Sequence, residues 1–326
     1  MQKIIFSILF LLSAVSVANA ADLFDLRVFP CFENQIVSFE GTIVTSRLRE
    51  NAISRRSKFS GLTGKWLASG TVDIESADKK LSADVSKGEF SGQIKVDSLA
   101  SFTLSVYHNG QKLYRETFHF PTRADFIVVS DIDDTILVTE VTSKAKMVYN
   151  SLFKKLEDRK PVADTPKFYR ELSKGNFSLG TPHFIYLSSS PAFLSRSLKT
   201  FIKNNDFPQG SLILKKSLTS GDHNTHKSEW LKQIVKKYPG KPLFLMGDSG
   251  EQDPFIYRSF IENSESPKIV KGVVIHEVTS RPQKIQALKE ISLYLQKKFK
   301  VPFVFWSNID KLKKSLHRHS LLKRIQ

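Results

Sequence analysis

Two hydrophobic patterns divide the chain. Between residues 22 and 122, apolar and polar positions alternate in short runs: "IVSFEGTIV" (36–44), "TVDIE" (71–75), "EFSGQIKV" (89–96) and "SFTLSVYH" (101–108). A period of two puts one face of each run on a core, so these runs predict half-buried strands. Asn109-Gly110 joins the last run to "QKLYRETFHF" (111–120). Asn-Gly at such a junction predicts a two-residue hairpin, because both central residues need positive φ. Several short strands with turns between them predict a small sandwich-like all-β domain over 21–122.

Past "PTRAD" (121–125) the runs become continuously apolar: "FIVVS" (126–130), "HFIYL" (183–187), "SLIL" (211–214), "PLFLM" (242–246), "GVVIHEV" (272–278) and "PFVFW" (302–306). Helical stretches separate them, among them 191–204, 225–238 and 281–298. Strands apolar on both faces, alternating with helices, predict α/β architecture: a Rossmann-like, doubly wound parallel sheet over 123–308. Ligands of such sheets bind beyond the carboxyl ends of the strands. The residues just after each strand are therefore the ones to inspect.

The first residues have a different pattern. Lys3, the apolar run "IIFSILFLL" (4–12) and Ala18-Asn19-Ala20 have the layout of a secretory signal cleaved after Ala20. The expectation is an exported protein, periplasmic or extracellular. Cys31 is the only cysteine, so no intramolecular disulfide can form. The remaining composition, 40% apolar and 25% charged over 326 residues, suits a globular chain with a core.

Charge sharpens the picture. The formal net charge is +17. Residues 22–122 hold 13 Lys+Arg and 12 Asp+Glu, while residues 123–326 hold 35 and 20. The excess positive charge belongs to the α/β half, where an anion would bind. "SRRSKF" (54–59) reads as a solvated basic loop.

Three strand ends carry chemistry. After the first strand stands Asp131-Ile132-Asp133-Asp134-Thr135. In extended chain, Asp131 and Asp133 project to the same side and share one site. Two close carboxylates repel unless a cation neutralises them, and Mg²⁺ takes oxygen ligands of this kind together with phosphate. An EF-hand is excluded, since Thr135, Ile136 and Thr142 stand where it needs Asp or Asn, Gly and Glu. Ser188-Ser189-Ser190-Pro191 follows the second strand and opens a helix, a natural phosphate cradle. Gly247-Asp248-Ser249-Gly250-Glu251-Gln252-Asp253 follows "PLFLM" with further carboxylates. Neither a P-loop nor a G-x-S-x-G elbow occurs. Asn224 or Thr225 predicts a helix cap, placing Lys227 in the first turn, where a lysine is unfavourable unless an anion faces it.

The order strand–D-x-D-x-T, strand–Ser, Lys, strand–G-D-x-x-x-x-D resembles the haloacid dehalogenase superfamily. Within it, "SDIDDTILVT", "NSLFKKLEDRKPVADTPKFYREL", "FIYLSSSPAFL", His226-Lys227 and "MGDSGEQDPFIY" resemble the actin-patch type of Mg²⁺-dependent phosphatidate phosphatase over roughly residues 123–280. Two positions depart from that pattern. Phe255 replaces an acidic residue, and Lys215-Lys216 replace an Arg-Asp pair. The resemblance implies that Asp131 is the nucleophile and Asp133 the general acid and base. Asp131, the Asp133 carbonyl and Asp248 would hold Mg²⁺. Ser188, Ser189 and Lys227 would bind the phosphoryl oxygens, with Thr135 and Asp253 in support. Lys215 and Lys216 are alternatives to Lys227, and Asp134 is expected to be a solvated third acid.

The substrate implied is phosphatidate or another phosphomonoester. Nucleic acid is disfavoured by export and by the absence of a recognisable module. The C-terminal segment 309–326 is a predicted basic helix with six Lys+Arg and no acid after Asp310. Leu312, Leu316, Leu322 and Ile325 form an apolar stripe that serves equally to sit on an anionic membrane or to pack on the domain.

Overall fold

A computed structural model describes residues 20–46, 65–139, 159–216 and 223–323. Residues 1–19 of the predicted signal segment and "SRRSKF" lie outside these residues, while Ala20, its last residue, is described. Among the described residues, no helix is long and apolar enough to cross a membrane.

The first half is antiparallel. Its strands are β1 (Ala20–Cys31), β2 (Ile36–Ser46), β3 (Lys65–Trp66), β4 (Ser69–Ser76), β5 (Lys79–Ser86), β6 (Glu89–Lys95), β7 (Phe102–His108) and β8 (Gln111–Phe118). They form one connected sheet in the order β1-β2-β6-β5-β4-β7-β8, with β3 paired to β2. The connection between β5 and β6 is a single pair, Ser86 with Glu89, and β1-β2-β6 and β5-β4-β7-β8 share a core that includes Val37, Phe39, Val72, Leu104 and Val106, an arrangement compatible with the expected sandwich-like domain. The predicted hairpin is present: Asn109 and Gly110 have φ of 49° and 74° and connect β7 to β8. Alternation in the sequence does not reveal β1, because Asp25 and Arg27 are buried charges among its apolar positions. Both faces of β1 are used: Val28 joins the sheet core, whereas Phe29 packs into the α/β half against Trp230.

The second half is a parallel sheet of β9 (Phe126–Ser130), β10 (Pro182–Pro191), β11 (Ser211–Lys215), β12 (Leu243–Asp248), β13 (Val270–His276) and β14 (Phe303–Trp306). The strand order is β11-β10-β9-β12-β13-β14. On one face lie α1 (Thr165–Ser173), α2 (Ser195–Asn204) and α6 (Ile309–Arg318); on the other lie α3 (His223–Lys237), α4 (Asp253–Glu262) and α5 (Pro282–Phe299). Successive β9 residues serve opposite layers: Phe126 and Val128 enter the first core, Ile127 and Val129 the second. This double burial explains the unbroken apolar runs in the sequence. Sequence order on the sheet reverses direction between β9 and β12, which is the switch point where a crevice opens beyond the strands.

The structure decides the question left open at the C-terminus. Ile309, Leu312, Leu316 and Leu321 are buried in the α/β core, and Leu322 packs beside them. The apolar stripe thus faces the domain and is not free to enter a membrane. Lys313 pairs with Glu171 at 2.5 Å, tying α6 to α1. Ile325 lies outside the described residues.

Candidate active site

The switch point brings three separate strand ends together. Asp131 follows β9, and its N–H donates to the Met246 carbonyl of β12 at 2.9 Å. Asp248 closes β12, and Ser188 lies near the end of β10.

Lys227 holds the centre. Its Nζ donates to Asp131 Oδ1 at 2.8 Å and Asp253 Oδ1 at 2.5 Å, with Glu251 Oε2 at 3.8 Å. Lys227 and Asp131 are each 1% exposed and Asp253 is wholly enclosed. The helix carrying this lysine begins at His223, so Lys227 sits a turn inside α3 and not in its first turn as expected. Thr135 Oγ1 donates to the other Asp131 oxygen at 3.1 Å. Gly247 is the only residue type that fits its position: an added Cβ would lie 2.5 Å from Asp253 Oδ2.

Asp133 faces a different set of groups. Ser188 Oγ and Ser190 Oγ both donate to Asp133 Oδ2, at 3.1 and 2.8 Å. Ser188 Oγ also accepts from the Ser190 N–H at 2.9 Å. Ser189, half-buried, falls between them on the alternate side of the strand. Among the described residues no hydrogen bond joins it to Asp131, Asp133 or Lys227. Ser190, which the sequence marks only as part of the serine run, instead bonds to Asp133. The strand's two-residue period already pairs it with Ser188.

Asp134 is not the solvated third acid that the sequence suggests. Its Oδ1 accepts the Thr139 N–H at 2.9 Å, its carbonyl lies 2.6 Å from His276 Nδ1, and its φ is 52°. It is a turn residue fixed in the left-handed region, which Asp tolerates better than most. The alternative lysines are elsewhere. Lys215 is buried at the end of β11, and Lys216 bonds to Glu89 of β6.

The loop after Asp248 is braced from three sides. Asp248 Oδ1 accepts the N–H groups of Gly250 and Glu251, at 2.5 and 3.0 Å. Lys284 of α5 donates to the carbonyls of Gly250 and Glu251, at 2.7 and 2.8 Å. Ser249 Oγ accepts from the N–H groups of Val278 and Thr279, at 2.8 and 3.1 Å.

Electrostatically the cluster lacks positive charge. Burial pushes the Asp131 carboxyl well above the ordinary carboxylate range, although Lys227 opposes this. Burial also pulls on Lys227, but the charges of Asp131 and Asp253 outweigh it and raise its pKa. Burial, then Asp253 and Glu251, push Asp248 up to about 7. Burial raises Asp133 against the hydrogen bonds from Ser190 and Ser188. One lysine thus faces several acids away from water.

A divalent cation fits that deficit. Carboxylate oxygens of Asp131, Asp248 and Asp253 lie within 4.8 Å of one another. Asp253 Oδ1 is already taken by Lys227, whereas Asp248 Oδ2 is buried without a hydrogen-bond partner. An orphaned carboxylate oxygen in an all-oxygen acidic cluster suits a hard cation.

Comparison with known proteins locates this cluster. Residues 126–277 match the family described as phosphatidate phosphatase APP1, catalytic domain. The phosphatidate phosphatase APP1 of Saccharomyces cerevisiae is 31% identical over 132 residues, which are 39% of this chain and 22% of that protein. The chain therefore matches about a fifth of the length of that relative. Among solved structures, ferredoxin-NADP+ reductase from Plasmodium falciparum is 12% identical, covering 81% of this chain and 98% of that one, with a TM-score of 0.20. The same reductase with 2'P-AMP is 11% identical, covering 74% and 92%, with a TM-score of 0.19. Scores this low carry no argument about the fold.

Proposed function

We propose that this protein, whose residues 126–277 match the phosphatidate phosphatase APP1 catalytic domain family, is a phosphatidate phosphatase of haloacid dehalogenase type, with Mg²⁺ as cofactor. The reaction converts phosphatidate and water to diacylglycerol and phosphate. The observation that carries the reading is the buried Asp131–Lys227–Asp253 chain beside the unpaired Asp248 Oδ2.

The residues suit a two-step displacement. An Asp131 oxygen attacks phosphorus as the bond to the lipid oxygen breaks, leaving an aspartyl-phosphate. Asp133 gives its proton to the departing alkoxide, and burial favours its protonated form. Water then attacks phosphorus, Asp133 takes the water's proton, and phosphate leaves with Asp131 restored. Lys227 and Thr135 fix the two Asp131 oxygens, so the nucleophile is oriented before substrate arrives. Lys227 offers positive charge to the equatorial oxygens, where phosphoryl transfer needs it. Ser188 and Ser190 hold Asp133 in the substrate-free site, and Ser188 stands at the strand end beside the phosphoryl group. Asp131, the Asp133 carbonyl and Asp248 would hold Mg²⁺, which supplies charge neutralisation when bound.

The buried stripe of α6 removes one route to a membrane surface, so a soluble phosphoester is the second reading, with the same chemistry. Export to a periplasm or exterior remains part of the proposal. The test is phosphate release, with and without EDTA, from phosphatidate in mixed micelles and from soluble phosphoesters. Phosphatidate turnover that stops in EDTA is the expected result. The Asp131→Asn protein should lose roughly 10³-fold or more in kcat while keeping its circular dichroism spectrum. Full activity in that variant would sink the nucleophile assignment, and turnover of soluble esters alone would sink the lipid.

A further inference from the structure

The seam between the two halves holds a cleft of about 880 Å³, lined by none of the active-site residues. That volume is typical of a small-molecule site. Its walls come from β1 and β8 on one side and from α1, α2 and β11 on the other.

The lining combines three kinds of chemistry. Arg196, Lys199 and Lys203 lie at successive turns along one face of α2, and Arg115 of β8 lines the same cleft. Lys199 is paired with Glu116 at 2.9 Å. Arg115, Arg196 and Lys203 are exposed and have no ion-pair partner among the described residues. The apolar part of the lining includes Phe24, Phe118, Ile202, Phe207 and Leu212.

The third component is Asp25. It is 3% exposed yet lines the cleft, and while Oδ2 accepts from Arg27 at 3.1 Å, Oδ1 is buried without a partner. The register of β1 on β2 shifts between Leu23 and Asp25. From Asp25 onward the register is regular, and the strand's period of two places Asp25 on the same side as Arg27 and Phe29, facing the α/β half; the irregularity before it turns Phe24 to that side as well. A buried acceptor without a donor calls for one from a ligand.

We infer that this cleft is a second ligand site, for a single-chain anionic amphiphile with a free hydroxyl. Its phosphate would meet Arg115, Arg196 and Lys203, its chain the apolar lining, and its hydroxyl Asp25 Oδ1. The site stands apart from phosphoryl transfer and does not rest on the phosphatase reading. It is connected to the active site nonetheless, because only the 3-10 turn Ala192–Leu194 separates α2 from the β10 end that carries Ser188 and Ser190.

The probe is octanoyl-lysophosphatidate below its micelle concentration, titrated calorimetrically in EDTA into full-length Asp131→Asn protein, which is expected not to turn it over. Saturable one-to-one binding is expected. Arg196→Glu with Lys203→Glu should weaken it at least tenfold, and Thr200→Trp, which fills the cleft, should do the same. Lys227→Met and the remote pair Lys297→Glu with Lys298→Glu should leave it unchanged. Loss of binding in Lys227→Met with none in the cleft variants would overturn the inference, since the lipid would then occupy the active site. Equal losses in the remote pair would overturn it as general charge attraction, and absence of binding would overturn it outright.

Discussion

Lys227 Nζ and Asp131 Oδ1 lie 2.8 Å apart, 96 residues apart in the chain and enclosed from solvent. A buried pair of this kind contributes little over a well-packed apolar pair, but breaking it is costly because the surviving charge has no water. The pair is therefore better understood as an orienting device than as a source of stability.

Lys227→Met should destabilise the fold by about 3–5 kcal/mol in EDTA at neutral pH. The loss should shrink as pH falls, because Asp131, whose carboxyl burial holds well above the ordinary range, can then take up a proton. Urea denaturation across pH checks this. Adding Asp253→Asn should recover part of the loss, and an unchanged urea midpoint in Lys227→Met would contradict the buried network.

Asp248→Asn should change stability and metal response in opposite directions. Without metal, Asp248 has its pKa raised to about 7 by burial and by neighbouring acids, so a neutral side chain relieves the fold. With metal, the orphaned oxygen is lost. The variant should melt at or above the wild-type temperature in EDTA, yet show little stabilisation by Mg²⁺. The Mg²⁺ needed for half-maximal activity should rise at least about tenfold. An undiminished Mg²⁺ shift would remove Asp248 from the metal site.

Gly247→Ala tests how tightly the lysine is held. The new Cβ would overlap the Asp253 carboxylate, whose Oδ2 would stand 2.5 Å away. Asp253 must move, and Lys227 with it. A fall in kcat of about 10²-fold with KM less affected is expected. Thermal melting should show a smaller cost, about 1–3 kcal/mol.

His183 sets a stability slope at acid pH. It is fully buried, with Nε2 3.1 Å from Ser211 Oγ and its ring against Phe32 and Phe120. Burial lowers its pKa from 6.5 to about 3. The unfolded chain therefore binds a proton between pH 6.5 and 3 that the folded chain refuses. Stability from this group is complete above pH 6.5 and is lost as pH falls toward 3. The contribution amounts to about 3 kcal/mol between pH 7 and pH 4. Unfolding free energies of wild type and His183→Gln, compared across this range, should diverge by that slope. Parallel curves would show that His183 is not buried neutral.

Much of this protein is legible in its sequence because the signals are local. Continuous apolar runs such as "FIVVS" report a strand buried on both faces, and Asn109-Gly110 reports a hairpin through its own backbone requirement. The carboxylates after β9 and β12 stand out because like charges beside a buried strand demand a reason. Other features depend on partners far along the chain. Strand β1 hides behind Asp25 and Arg27, whose burial makes sense only once Glu40 and Trp230 meet Arg27. Asp134 reads like its neighbours until Thr139 and His276 hold it in a left-handed turn. Leucines at helical spacing in α6 are compatible with a membrane or a core, and packing on the sheet chooses the core. Periodicity and charge thus determined which residues had to be buried or neutralised. Tertiary structure decided by what, because each partner is supplied by a strand order that brings residues 131, 227 and 248 to one edge.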